Sequence, residues 1–111
     1  MNPKLIVIYL TCHSRTEASN IGDALLCLRL IGCYNILGEI DTKYWWPPKE
    51  NKFESAQEVV ILLKTIPENF HKVETEVRKL HSDTTICLLG IPIFQVNDDY
   101  LQWIRGEIKS E

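Results

Sequence analysis

Trp45-Trp46-Pro47-Pro48-Lys49-Glu50-Asn51 cannot continue a strand, because two consecutive prolines remove backbone donors and fix φ. The segment is therefore a connection, and what flanks it decides the fold. Before it, Cys33-Tyr34-Asn35-Ile36-Leu37 opens a β-rich run that extends towards Lys43 and Tyr44. After it, Glu58-Val59-Val60-Ile61-Leu62-Leu63-Lys64 is a second run of the same kind. Two such runs around one connection read as a long hairpin.

Outward from the hairpin, each side reads as a helix and then a strand. Towards the N-terminus, Ala18, Ile21, Leu25, Leu28 and Ile31 recur at helical spacing behind Ser14-Arg15-Thr16-Glu17. That quartet has the spacing of a capping box, in which Ser14 and Glu17 satisfy each other's free backbone N–H groups. Gly32 is the expected left-handed stop. Towards the C-terminus, Pro67 suits a first helical turn, with Phe70, Val73, Val77 and Leu80 on the buried stripe. Leu5-Ile6-Val7-Ile8-Tyr9-Leu10 is the first strand, a continuous apolar run expected to be covered on both faces. Residues 84–96 are the fourth, and Gly90 and Pro92 suggest an edge or a bulge there. Asn97 or Asp98 then caps a short last helix carrying Tyr100, Leu101, Ile104 and Ile108.

The order is βα–ββ–αβ–α. Right-handed crossovers interleave two such halves into one antiparallel sheet with helices on one face. The predicted class is α+β, a ferredoxin-like split βαβ with a C-terminal helix. In that topology the fourth strand lies antiparallel beside the first, so Cys12 and His13 should approach His81 and Cys87.

The 111 residues are 45% hydrophobic and 24% charged, which suits one globular domain over 1–111. A net charge of −3 supplies no basic field for phosphates, so nucleic acid is not an expected partner. The charged start Met1-Asn2-Pro3-Lys4 precedes an apolar run too short for a signal peptide. No stretch approaches the ~20 apolar residues of a membrane span. Cys12, Cys27, Cys33 and Cys87 lie in regular elements without a C-x-x-C pair. Free thiols in the cytosol are expected, with Cys27 and Cys33 the protected ones.

Cys33-Tyr34-Asn35-Ile36, Tyr44-Trp45-Trp46, the stretch from Glu58 to Lys64-Thr65, and Tyr100-Leu101-Gln102-Trp103 follow one another in that order. Together they resemble the CutA family, the divalent-cation tolerance proteins. Those proteins carry Cys-Val-Asn-Ile, Tyr-x-Trp or Tyr-Trp-Trp, Glu-(apolar run)-Lys-Thr and Tyr-Leu-x-Trp. The resemblance implies a cytoplasmic homotrimer linked to tolerance of divalent metal, copper above all, that binds and does not turn over substrate. The family usually has His-Pro-Tyr-x-x-Pro-Glu after the second helix. Here the segment is His81-Ser82-Asp83-Thr84-Thr85-Ile86-Cys87, which keeps the histidine and places a cysteine where the acid is expected. The family's strand-one cysteine would fall at Leu10 and is absent.

The candidate metal ligands are His81, Cys87 and Cys12, a nitrogen and sulfur set that favours copper or zinc over hard cations. No cofactor is obligatory. The competing reading makes Cys12 and Cys87 small buried apolar residues and His81 a partner for a helix C-terminus. Cys12-His13 cannot readily form a nucleophile–base pair, since neighbours on a strand point to opposite faces; no catalytic residue is assigned. Tyr44, Trp45, Trp46 and Trp103 are expected either to line an intersubunit cleft or to anchor the hairpin on a neighbouring chain. The rival function is a signalling module like the trimeric nitrogen-regulatory PII proteins, an analogy of fold alone. Converging His and Cys would favour metal, whereas a basic, glycine-lined pocket would favour a nucleotide.

Overall fold

A computed structural model describes residues 1–108. The elements are β1 (Leu5–Cys12), α1 (Arg15–Cys27), β2 (Cys33–Trp45), β3 (Phe53–Thr65), α2 (Phe70–Leu80), β4 (Leu88–Ile93) and α3 (Asp98–Glu107). A single turn of 3₁₀ helix at Pro67–Asn69 leads into α2. The strands form one sheet in the order β2-β3-β1-β4, every neighbour antiparallel. This is the expected split topology, with β4 at an edge beside β1.

Alternation along β1 sets the layers. Ile6, Ile8, Leu10 and Cys12 are buried and join Ala18, Ile21 and Leu25 of α1 and Val73 and Val77 of α2 in the main core. Full burial of each large aliphatic side chain contributes about 1.5–3 kcal/mol. Val7, Tyr9 and Thr11 point to the other face and are only half-buried. Within one chain β1 is therefore covered on one face, and the expectation of two covered faces is not met. A second cluster joins Leu5, Ile66, Ile104 and Ile108 and seats α3 at the end of the sheet.

Four local expectations change. The left-handed residue after α1 is Arg29 (φ 56°), not Gly32, and no glycine among the described residues has positive φ. Gly32 is needed for space instead, because an added Cβ would lie 2.2 Å from Ile104 Cγ1. The third strand begins at Phe53 rather than Glu58, because the hairpin ladder runs out to Trp45 opposite Phe53. The fourth strand is Leu88–Ile93, not 84–96, because its pairing with β1 runs only from Leu88 opposite Leu10 to Ile93 opposite Leu5. All four cysteines are free, yet Cys27 ends α1 in solvent and is not protected. Cys33 is half-buried, its sulfur 3.2 Å from the Tyr100 hydroxyl. A thiol reagent should therefore modify Cys27 in the native protein and reach Cys12 only on unfolding. Mass mapping that found Cys12 labelled first would contradict this packing.

Candidate metal centre and adjoining cleft

Three elements end at one point below the C-terminal end of β1. Cys12 faces the core because it shares the parity of Ile8 and Leu10. His81 is the C-cap of α2, and Glu17 lies in the first turn of α1. One ligand atom from each of Cys12, Glu17 and His81 lies within 4.8 Å of the others.

Each of these groups already has a partner or a proton. The Ser14 hydroxyl accepts from the Glu17 N–H at 3.1 Å, as a capping box requires, but the Glu17 carboxylate does not return to Ser14. Its oxygens accept the backbone N–H groups of His13 and Ser82, both at 2.9 Å. Partial burial pushes the Glu17 carboxyl up, and its bonds to Ser82 and to the His13 N–H outweigh that and hold it below its usual range. His81 is buried between Thr11 O, 2.7 Å from Nε2, and the Asp83 N–H, which donates to Nδ1 at 3.0 Å. A carbonyl can only accept and an amide N–H only donate, so this network assigns the ring proton to Nε2. The Cys12 thiol is fully buried and pushed up to about 12, first by burial and then by Glu17, Glu58 and Asp83. Sulfur and oxygen at this spacing fit a soft or borderline divalent ion, and His81 Nε2 joins them when the ring proton moves to Nδ1, giving up the bonds to Thr11 O and the Asp83 N–H.

The sequence reading brought Cys12 and His81 together, and so does the structure. Cys87 does not join them. Leu88 pairs with Leu10, so the residue before it lies beside Thr11, and Cys87 lines a cleft with Thr11 and Tyr9. Glu17 takes the third place. Its capping-box position was legible, but its reach to Ser82, 65 residues away, was not.

A family model described as CutA1 divalent ion tolerance protein matches residues 6–107. The chain belongs to the CutA1 family. The divalent-cation tolerance protein CutA of Archaeoglobus fulgidus is 40% identical over 102 residues, covering 92% of this chain and 96% of the relative. The Xenopus laevis CutA homolog is 31% identical over 107 residues, 96% of this chain and 68% of the relative. The solved structure of the periplasmic divalent cation tolerance protein CutA from A. fulgidus superposes with a TM-score of 0.89 at 37% identity, covering 95% of this chain and 99% of that one. The divalent cation tolerance protein Cut A1 from Thermus thermophilus gives 0.89 at 30% identity, with the same coverage. No helix among the described residues is long and apolar enough to cross a membrane.

In this CutA1 chain the segment after α2 departs from the family motif, and its residues have their own tasks. Asp83 lies 2.9 Å from His13 Nε2, and Ser82 is held by Glu17. The Asp83 bond raises the His13 pKa above its usual value, despite an opposing contribution from burial. Both side chains are about half exposed, so the pair adds little stability. That contribution is full below the unfolded pKa near 6.5 and fades as pH rises through the raised folded value. In an NMR titration His13 should protonate above its usual range, and Asp83→Asn should bring it back. A wild-type value at or below the usual one would contradict the bond.

The hairpin aromatics divide. Tyr44 and Trp46 line the cleft, which encloses about 530 Å³ on the helix-free face of the sheet. Trp45 stacks on Phe53 at 4.2 Å near the hairpin tip. Trp103 lies on α3 beside Tyr100, with ring centroids 5.5 Å apart, and is not part of the cleft. Glu54, Glu58 and Asp83 make the cleft acidic, the opposite of what the phosphates of a nucleotide require.

Proposed function

We propose that this CutA1 protein serves divalent-metal tolerance by binding a copper or zinc ion at Cys12, Glu17 and His81, as a cytoplasmic homotrimer that performs no turnover. The supporting observation is the gathering of a sulfur, an oxygen and a nitrogen donor within 4.8 Å at the junction of β1, α1 and α2. The ion supplies a positive centre that stabilises the Cys12 thiolate. Cys12 and His81 present the softer donors, and Glu17 holds the 81–83 segment against α1. Cys87, on the other face of the sheet, is left out of the set.

The trimer is supported by what one chain leaves uncovered. Among the described residues the β2 and β4 edges have no further strand beside them, and Leu37, Leu89 and Ile91 are exposed. Uncovered apolar edges of this kind are an aggregation hazard unless another chain pairs with them. Trp45, Phe53 and Trp103 are exposed as well, and the resemblance to CutA sets the number at three. Light scattering should give three times the chain mass; a monomer at micromolar concentration would contradict it.

Calorimetric titration of the reduced protein with Zn(II) and Cu(I) tests the metal site. Cys12→Ser and His81→Gln should each weaken binding by at least about tenfold, whereas Cys87→Ser should bind like wild type. Equal affinity in all four proteins would sink the assignment.

A further inference from the structure

The cleft on the helix-free face has chemistry that the metal site does not use. Tyr9 from β1 and Tyr44 and Trp46 from the hairpin supply aromatic walls, and Glu54, Glu58 and Asp83 supply carboxylates. Asp83 is occupied by His13, but Glu54 and Glu58 have no ion-pair partner among the described residues. The Thr42 side chain also lines the cleft, and its Oγ1 is buried without a hydrogen-bond partner among the described residues. We propose that this cleft binds a small organic polycation, a protonated aliphatic diamine or polyamine.

Three features select that class. The volume of about 530 Å³ lies within the range of small-molecule sites. Aromatic faces attract ammonium groups, and they also cover the methylene chain between two such groups. The carboxylates are too dispersed to chelate one ion: among the described residues the only group of three His, Cys, Asp or Glu donors within 4.8 Å is Cys12, Glu17 and His81. Spread-out acids match charges spread along a chain. Desolvation and the nearby Glu54, Glu58 and Asp83 hold the Tyr44 hydroxyl above its usual range. Burial and Glu58 do the same for the Cys87 thiol. Loss of water is the larger cause of both shifts, and the carboxylates add to it.

The test is calorimetric and tryptophan-fluorescence titration of the intact protein with 1,4-diaminobutane, with 1,4-butanediol and magnesium chloride at matched ionic strength as comparisons. The diamine should bind and perturb tryptophan emission, while the diol should not bind. Glu54→Gln with Glu58→Gln should weaken the diamine by at least about tenfold, and Trp46→Leu should abolish the emission change. Zinc binding should survive in these variants, which shows the fold and the metal site intact. Equal diamine affinity in wild type and the double variant would overturn the proposal, leaving unspecific surface charge. Magnesium displacing the diamine at equal concentration would overturn it in favour of a hard-cation site. A silent titration would overturn it too, with the cleft closed by a second copy of the chain.

Discussion

Zinc affinity of the reduced protein should rise about tenfold for each unit of pH through the neutral range, the signature of one proton released per ion. The proton comes from Cys12. Its thiol is held up at about 12 by burial and by Glu17, Glu58 and Asp83, so it stays protonated across the accessible range. A metal ion takes the thiolate, and the competition with hydrogen ion therefore never saturates below that pKa. The sign is fixed: lower pH weakens binding and higher pH strengthens it. Cys12→Ser should flatten the slope as well as lower the affinity. Titration in buffers of different ionisation enthalpy counts the released proton directly. An affinity independent of pH above neutrality would show that Cys12 is not a ligand.

Gly32→Ala should destabilise the fold by about 1–3 kcal/mol, the usual cost of overpacking. Two effects compete. Gly32 does not have positive φ, so removing backbone freedom from the unfolded chain would by itself stabilise by about 0.4–1 kcal/mol. Against this, the new Cβ would stand 2.2 Å from Ile104 Cγ1 and 2.8 Å from its Cδ1. Ile104 is fully buried in the cluster that seats α3 and, being β-branched, has few rotamers to retreat into. The clash wins. Gly106, inside α3, is the contrast: a Cβ there meets nothing within 4 Å, so Gly106→Ala should stabilise by about 0.5–1 kcal/mol. Urea midpoints of both variants decide the matter. Gly32→Ala should cost less in an Ile104→Ala background, where Cγ1 is gone and Cβ lies 3.4 Å away, and a Gly32→Ala protein as stable as wild type would show that α3 does not rest on this glycine.

Several features were legible because they depend on residues close in the chain. The two prolines marked the hairpin connection, the helical spacing of Val73 and Val77 marked the buried stripe of α2, and Ser14 marked the start of α1. The handedness of strand crossovers then placed β4 beside β1 without any coordinate. That adjacency is why Cys12 and His81 could be expected together.

Which side chains meet at that place was a different kind of question. A shift of one residue along a strand exchanges the two faces of the sheet. Extending the fourth strand back to residue 84 left the face of Cys87 open, and the true start at Leu88 puts it in the cleft. Glu17 looked like a local cap, yet its carboxylate bridges His13 and Ser82, because the end of α2 folds back over α1. Gly32 looked like a helix stop, yet Arg29 makes the turn and Gly32 makes room for Ile104, 72 positions further on. Periodicity, caps and turn residues act through neighbours a few positions away, so the elements and their order could be read along the chain. The metal centre, the acidic cleft and the seat of α3 depend on contacts between residues far apart in the chain, and only packing in three dimensions decides those.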